Sequence, residues 1–486
     1  MAVEIELKLA IAPDAAARLS RASFLGKPQR TRHLAATYYD TPSQSLRTAG
    51  FSLRVRREDH ALVQTVKRAN GAGAGLMKRG EWDIPLDAPT PVIDARTGVP
   101  DLLERSGEDL LPQFTVTVRR ELRNLPLTDG GSVEVALDTG VAEADEREDH
   151  FAEIELELRK GDPAGLFALA RQVDRVVPAR LGVTTKAGRG WRLLGPMANA
   201  VRTDPPTLDP AMPVRDAFTA IASACIAQYR ANEDILLDRH SPEAVHQARI
   251  ALRRLRAALR AFRPILPGPD AARLDRRLRS LAVALGKVRD LDVMVAQVPR
   301  GPLRKRMKAA RVAAWAHLRR RLGAKHTRAL LLDLAEWLEC GAWRSHPATL
   351  TAREAPLEPF AAHSLDRLLR KVRRHGKHLK TADDEARHRL RKDAKKLRYN
   401  AEAFGPMLTG KQHRKAHKAF FKALKVLQDD LGALNDVRVA TEWLRAQGLL
   451  DLPEAQAWLS AMHKRHLIGK AGKARHALLA IEPFWR

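Results

Sequence analysis

The chain has 486 residues, of which 45% are hydrophobic, enough for two or three domains that each bury a core. No apolar run approaches the ~18 residues of a membrane-spanning helix, and Cys225 and Cys340 lie too far apart for a metal or redox motif. Of 85 Lys+Arg and 57 Asp+Glu, residues 1–200 hold 28 and 28, leaving 57 and 29 in 201–486, so the whole net charge of +28 lies after residue 200. That asymmetry points to a polyanionic partner for the C-terminal part: polyphosphate, nucleic acid or an acidic surface.

The start, "MAVEIELKLA", has neither the basic opening nor the apolar stretch of a signal peptide, and a reduced, cytoplasmic chain is expected. Up to residue 200 the period is two. "VEIELKL", "FSLRVRR", "ALVQTVK", "GEWDIPL", "FTVTVRREL", "SVEVALD" and "AEIELEL" alternate apolar with polar residues, which predicts strands. Helical stretches fall near 13–22 and 163–176. "VRTDPPTLDPAMP" (201–213) holds four prolines and reads as an extended linker. Beyond it the period is 3.6, and Ser241-Pro242-Glu243 supplies an N-cap, a first-turn proline and a first-turn acid. The expected class is α+β multidomain: an antiparallel sheet or barrel over 1–200, a linker over 201–213 and an all-α region over 214–486.

The helical part repeats itself. His246, Arg249, Arg253, Arg254, Leu255, Arg256 and Phe262 recur at the same offsets as His388, Arg391, Lys395, Lys396, Leu397, Arg398 and Phe404. "ALGKVRDLDVM" (284–294) is answered by "DLGALNDVRVA" (430–440), as in two homologous halves about a pseudo-two-fold axis. At 100° per residue, Arg249, Arg253 and Arg256 fall within about 80° of His246, beside a stripe of Leu252, Leu255, Leu259 and Phe262. Arg249/Arg253 and Arg391/Lys395 are like-charged at i,i+4, a spacing at which like charges repel, so a helix that keeps them twice is suited to binding an anion.

The strands carry segregated charge. Glu4, Glu6 and Lys8 share one face, as do Arg54 and Arg56, Glu134 and Asp138, and Glu153, Glu155 and Glu157. Carboxylates hold hard divalent cations and Arg or Lys hold phosphate oxygens, so these sets suit a metal-bound polyanion. "EIELK" (4–8) resembles the ExExK signature of the CYTH superfamily, the triphosphate tunnel metalloenzymes. The resemblance continues through "TYYDTP" (37–42), "LRTAGFSLRVR" (46–56), "QTVK" (64–67), "LMKRGEWDI" (76–84), "VEVALDTG" (133–140), "EIELEL" (153–158) and "TTKAGRG" (184–190). Within the superfamily it is similar to bacterial inorganic triphosphatases of the CYTH–CHAD type.

The resemblance implies an eight-stranded antiparallel tunnel, Mg²⁺ or Mn²⁺, and tripolyphosphate as substrate. Its metal ligands carry over to Glu4, Glu6, Asp138, Glu155 and Glu157, with Glu134 and Glu153 as further carboxylates. Its phosphate-binding bases map to Lys8, Arg54, Arg56, Arg79, Arg120 and Lys186, Arg119 being the alternative to Arg120. Tyr38 and Lys67 correspond to a pair associated with tripolyphosphate preference, and Glu81 completes the RxE pattern. The duplicated helices resemble a CHAD domain, which implies polyphosphate binding by His246, Arg249, Arg253, Arg256, His388, Arg391, Lys395 and Arg398, helped by Arg254 and Lys396, and association with polyphosphate granules. Nucleic acid is the rival partner, but aromatics for base stacking are only 5% of the chain. His413 and His417 have ligand spacing at i,i+4, although Lys and Arg surround them. No P-loop, H-E-x-x-H or G-x-S-x-G pattern occurs.

Overall fold

The structure is a computed structural model that describes residues 5–59, 61–68, 76–77, 80–408 and 414–486. It divides into two compact units. The first comprises Met1–Arg202, Ile226–Arg239 and Leu322–Ala342; the second comprises Thr203–Cys225, His240–Arg321 and Trp343–Arg486.

The first unit is built on an antiparallel sheet. Its strands are β1 (Glu6–Ile11), β2 (Arg30–Asp40), β3 (Phe51–Glu58), β4 (Ala61–Arg68), β5 (Leu76–Met77), β6 (Gly80–Leu86), β7 (Leu111–Pro126), β8 (Ser132–Ala144), β9 (Arg147–Lys160) and β10 (Arg180–Leu181). The order is β10-β1-β9-β8-β7-β2-β3-β4-β6, and β5 pairs with β1. Eight of the strands are at least six residues long; β5 and β10 have two residues each. The hydrogen-bonded path runs from β10 to β6, and β5 pairs off it with β1. The unit also holds α1 (Ala16–Ser20), α2 (Ser45–Thr48), α3 (Val99–Ser106), α4 (Ala164–Val176) and α5 (Lys186–Leu193).

Alternation fixes which side chains face in. Leu34, Ala36 and Tyr38 of β2 meet Phe114, Val116 and Val118 of β7 in one buried cluster, closed by Phe151 and Leu193. The Tyr38 ring stacks on Phe114 at 4.8 Å between centroids, and Trp191 meets Phe114 edge-on at 5.1 Å.

The remaining helices are α6 (Val214–Asp238), α7 (Pro242–Ala261), α8 (Asp270–Gln297), α9 (Pro302–Gly323), α10 (Lys325–Cys340), α11 (Leu350–Glu354), α12 (Leu357–His375), α13 (Asp384–Phe404), α14 (Arg414–Ala446), α15 (Pro453–Ala461) and α16 (Lys464–Leu479). No described helix is long and apolar enough to cross a membrane. Residues 201–209, most of the proline-rich stretch, form neither helix nor strand. Ser241 caps α7, its Oγ accepting from the Ala244 N–H at 3.2 Å. In the second unit α7 packs on α8, α13 on α14, and α7 on α13. The repeat equivalents Phe262 and Phe404 touch each other, 5.9 Å between ring centroids. Direct contact between equivalent residues is what a pseudo-two-fold axis passing between the halves produces.

Candidate functional site

The interior of the sheet encloses a cavity of about 450 Å³. Its wall includes Lys8, Arg54, Arg56, Lys67, Arg120 and Lys186, together with Glu6, Glu81, Asp83, Glu134, Glu155, Glu157 and Tyr38. Strand register explains how residues distant in sequence meet. Glu6 stands opposite Glu157 and Lys8 opposite Glu155. Arg54 faces Tyr38, Lys67 faces Glu81, and Arg120 faces Asp138. Side chains directly opposite across a ladder interact, and the Lys8/Glu155, Lys67/Glu81 and Arg120/Asp138 pairs become ion pairs. Lys67 Nζ lies 2.7 Å from Glu81 Oε2, and Arg120 holds Asp138 with two bonds of 2.8 and 2.6 Å.

Lys186 arrives differently. It opens α5, capped by Thr185, whose Oγ1 accepts from Gly188 N–H at 2.9 Å. Its ammonium contacts Glu153, Asp138 Oδ2 at 2.7 Å and Glu155 Oε1 at 2.8 Å. Lys8 reaches the same carboxylates, 3.1 Å from Glu153 and 2.7 Å from Glu155. Asp138 and Glu153 are almost wholly buried and stand behind the cavity wall, held by the cations that line it.

These contacts set the protonation states. Burial acts to raise the Glu155 carboxyl, but Lys186, Lys8 and Arg120 hold it well below its usual range. Burial acts to lower Lys186, and Asp138, Glu153 and Glu155 hold it well above. Arg56 has too little compensation: burial, then Arg54 and Arg120, lowers its guanidinium to about 10. Glu6 is the opposite case. Its Oε1 is buried with no hydrogen-bond partner among the described residues, and burial, then Glu155, raises its carboxyl. A bare carboxylate oxygen beside a second carboxylate fits a divalent cation, which satisfies the oxygen and removes the repulsion. Asp138, Glu153 and Glu155 also bring ligand oxygens within 4.8 Å of one another.

Of the two candidate arginines, Arg120 lines the cavity, while Arg119 is 49% exposed and pairs with Glu121 at 2.6 Å. Glu4 and Arg79 lie outside the described residues. Sequence reasoning passed over Asp83, Ser52 and Thr65, which also line the cavity, with Thr65 Oγ1 donating to Asp83 at 2.7 Å. The period-two pattern of "EWDIPL" carries the signal for Asp83, on the same face as Glu81.

In the second unit, α7 and α13 bring their basic stripes together. Arg249 pairs with Asp290 of α8 at 3.0 Å, and His388 Nδ1 lies 3.1 Å from Asn435 Oδ1 of α14. Arg256 pairs with Asp275 at 2.6 Å, and Lys396 with Asp393 at 2.9 Å. Arg254 reaches Glu402 at 3.2 Å, and Arg398 meets the same carboxylate. Among the described residues, no carboxylate lies within ion-pairing distance of Arg253, Arg391 or Lys395. Burial, then Arg253 and Arg391, lowers the Lys395 ammonium to about 5. Burial, then Arg253, lowers Arg391 to about 10, and burial, then Arg289, lowers His246 to about 4. Asp290 and Asp436, at matching positions of the repeated second helices, are the acids facing this cluster, and sequence reasoning gave them no role. His413 lies outside the described residues, and His417 packs against Phe421 and Phe484.

An antiparallel sheet with a cation-walled interior, followed by a duplicated basic helical fold, defines the class: a two-domain CYTH–CHAD architecture. Residues 2–190 match the family model of the CYTH domain and residues 220–445 that of the CHAD domain. It is 32% identical over 196 residues to an inorganic triphosphatase of Haemophilus influenzae, covering 40% of this chain and 55% of that protein, about half the relative's length. It is 28% identical over 463 residues to a protein of Mycobacterium tuberculosis described as uncharacterized, covering 86% of this chain and 83% of that one. The crystal structure of the CHAD domain from the plant Ricinus communis is similar at 25% identity and a TM-score of 0.49, covering 58% of this chain and 97% of that one.

Proposed function

We propose that the first unit hydrolyses inorganic tripolyphosphate to pyrophosphate and phosphate with a divalent cation, and that the helical unit binds long-chain polyphosphate. The observation that carries the first half is the cavity wall itself: six cations around one enclosed space, with Arg56 poorly compensated and Glu6 bare. Lys8, Arg54, Arg56, Lys67, Arg120 and Lys186 bind phosphate oxygens and fix the chain. Buried ion pairs orient Lys8, Arg120 and Lys186 before substrate arrives, the condition for stabilising charge that develops at the terminal phosphorus. The Tyr38 hydroxyl orients Arg54, and Glu81 orients Lys67. Glu6, Glu155 and Glu157, with Glu4, would hold Mg²⁺ or Mn²⁺, and Asp138 anchors Arg120 and Lys186 behind them. When bound, the cation supplies charge neutralisation and a more acidic water. Water adds to the terminal phosphorus, the bridging P–O bond breaks, and pyrophosphate leaves.

The basic groups Arg253, Arg391 and Lys395, which have no ion pair among the described residues, support the second half of the reading. The test is phosphate release from tripolyphosphate, ATP and thiamine triphosphate with Mg²⁺ or Mn²⁺, beside binding of polyphosphate and of single-stranded DNA at matched charge. Tripolyphosphate is expected to turn over fastest and polyphosphate to bind more tightly than DNA. A preference for ATP reassigns the substrate, and equal affinities at matched charge remove the polyphosphate assignment.

A further inference from the structure

A second cleft in the helical unit is basic and shares only Lys396 with the repeated set. It encloses about 500 Å³, within the range of small-ligand pockets, between the end of α7, the turn Arg263–Ile265, α12 and α13. Arg260, Arg263, Arg367, Lys371 and Lys396 line it, and among the described residues no carboxylate does. Two acids reach these cations from outside the lining: Asp275 takes Arg260 at 3.0 Å and Asp393 takes Lys396 at 2.9 Å. Arg263 and Lys371 have no ion pair among the described residues, and Arg367 Nε is buried without a hydrogen-bond partner.

Helix polarity explains part of this set. Cations gather at helix C-termini, and Arg260 lies in the last turn of α7 with Arg263 just beyond it. Arg367 and Lys371 sit in the body of α12, and Lys396 in the middle of α13, where no helix end asks for them. The cleft also breaks the internal symmetry. Arg260 lies about one turn beyond Arg256, on the face that carries Arg249 and Arg253. The matching position of α13 is Glu402, which pairs with Arg254 and Arg398 and closes the second stripe with an acid.

We propose that this cleft holds a further segment of the same polyphosphate chain, so that the bound chain continues past the symmetric cluster over α7 and not over α13. The proposal rests on the polyphosphate reading above. From Arg249 to Arg260 the helix rises roughly 16 Å, so only a chain long enough to span both places gains from the second one.

The test uses the full chain with Arg263→Ala/Lys371→Ala, a double variant that removes two cations with no ion pair to break. Binding of long-chain polyphosphate and of a short oligomer is measured over a range of salt concentrations. For long chains the variant is expected to lose about tenfold in affinity and about two units of slope in log K against log salt, as two released counterions predict. Short oligomers are expected to bind wild type and variant alike. A variant that keeps wild-type affinity and slope for long chains, while Arg391→Ala loses them, overturns the extension and leaves the proposed function standing. A wild-type chain that binds no polyphosphate removes both.

Discussion

Arg56 and Lys395 have the same physical character: each is a basic group held near cations with too little negative charge around it. In the sheet cavity, Arg54 and Arg120 flank Arg56, and its nearest carboxylate is Glu58 at 3.3 Å. Arg56→Ala is therefore expected to lower kcat for tripolyphosphate by about 100-fold, the order seen when one preorganised charge-stabilising donor is removed. Steady-state kinetics checks this, and an unchanged kcat would show that Arg56 does not face the reacting phosphate. Lys395 makes a prediction about protons. Burial, Arg253 and Arg391 hold it at about 5, so it is neutral at pH 7 in the free protein. Arg249 and Asp436 also face it, one opposing its charge and one favouring it. A bound polyanion favours the ammonium and raises its pKa, so binding at pH 7 takes up a proton and tightens as pH falls towards 5. Calorimetry in buffers of different ionisation heat should show net uptake, reduced in Lys395→Arg, whose guanidinium stays charged in both states. The cation and carboxylate sets were legible because alternation and helical spacing put like residues on one face. Which carboxylate pairs with which cation was not, since Asp138 opposite Arg120 depends on a register that no local pattern encodes.

At the scale of elements, α5 shows why the "TTKAGRG" stretch ends in glycine. A Cβ on Gly190 would fall inside the Phe114 ring, which is held between Tyr38 and Trp191. Gly190→Ala must move α5 away from the sheet or displace that ring, and α5 carries Lys186 at its first position. The expected result is a loss of about 1–3 kcal/mol of stability from overpacking, with a fall in tripolyphosphate turnover. Thermal melts and kinetics on the same preparation check both, and a variant equal to wild type in each would mean that α5 does not sit against Phe114. The sequence reading found strands with clean alternation and the helix over 164–176. It passed over β2 as a strand, because "LAATYYD" puts alanines and tyrosines on both faces and shows no polar alternation. It also missed α5 as a helix, because two glycines in eight residues mask the period.

On the scale of the whole molecule, the first compact unit is not continuous in sequence, and this bears on the position of Lys186. Arg230 of α6, fully buried, donates from Nε to the Leu181 carbonyl at 3.0 Å, and Leu181 belongs to β10, which pairs with β1. Asn232 holds Val201 by two bonds, accepting from its N–H at 2.9 Å and donating to its carbonyl at 2.8 Å. Arg328 of α10 binds buried Asp174 of α4, and Arg171 of α4 meets Asp333 at 2.9 Å. A fragment that stops at residue 202 keeps Asp174 and Leu181 but loses every one of these partners. An acid stripped of its buried arginine costs about 3 kcal/mol, which in a domain of this size is roughly 10 °C in Tm. The loss also reaches the site, because β10 leads directly into Thr185 and Lys186. The fragment 1–202 is therefore expected to melt lower than the full chain and to turn over tripolyphosphate more slowly even below its own Tm. Arg230→Met in the full chain should show the same kinetic defect without truncation. If the fragment matches the full chain in both melting and turnover, residues 226–239 and 322–342 only cover the sheet; if Arg230→Met alone slows turnover, their hold on β10 extends to the position of Lys186.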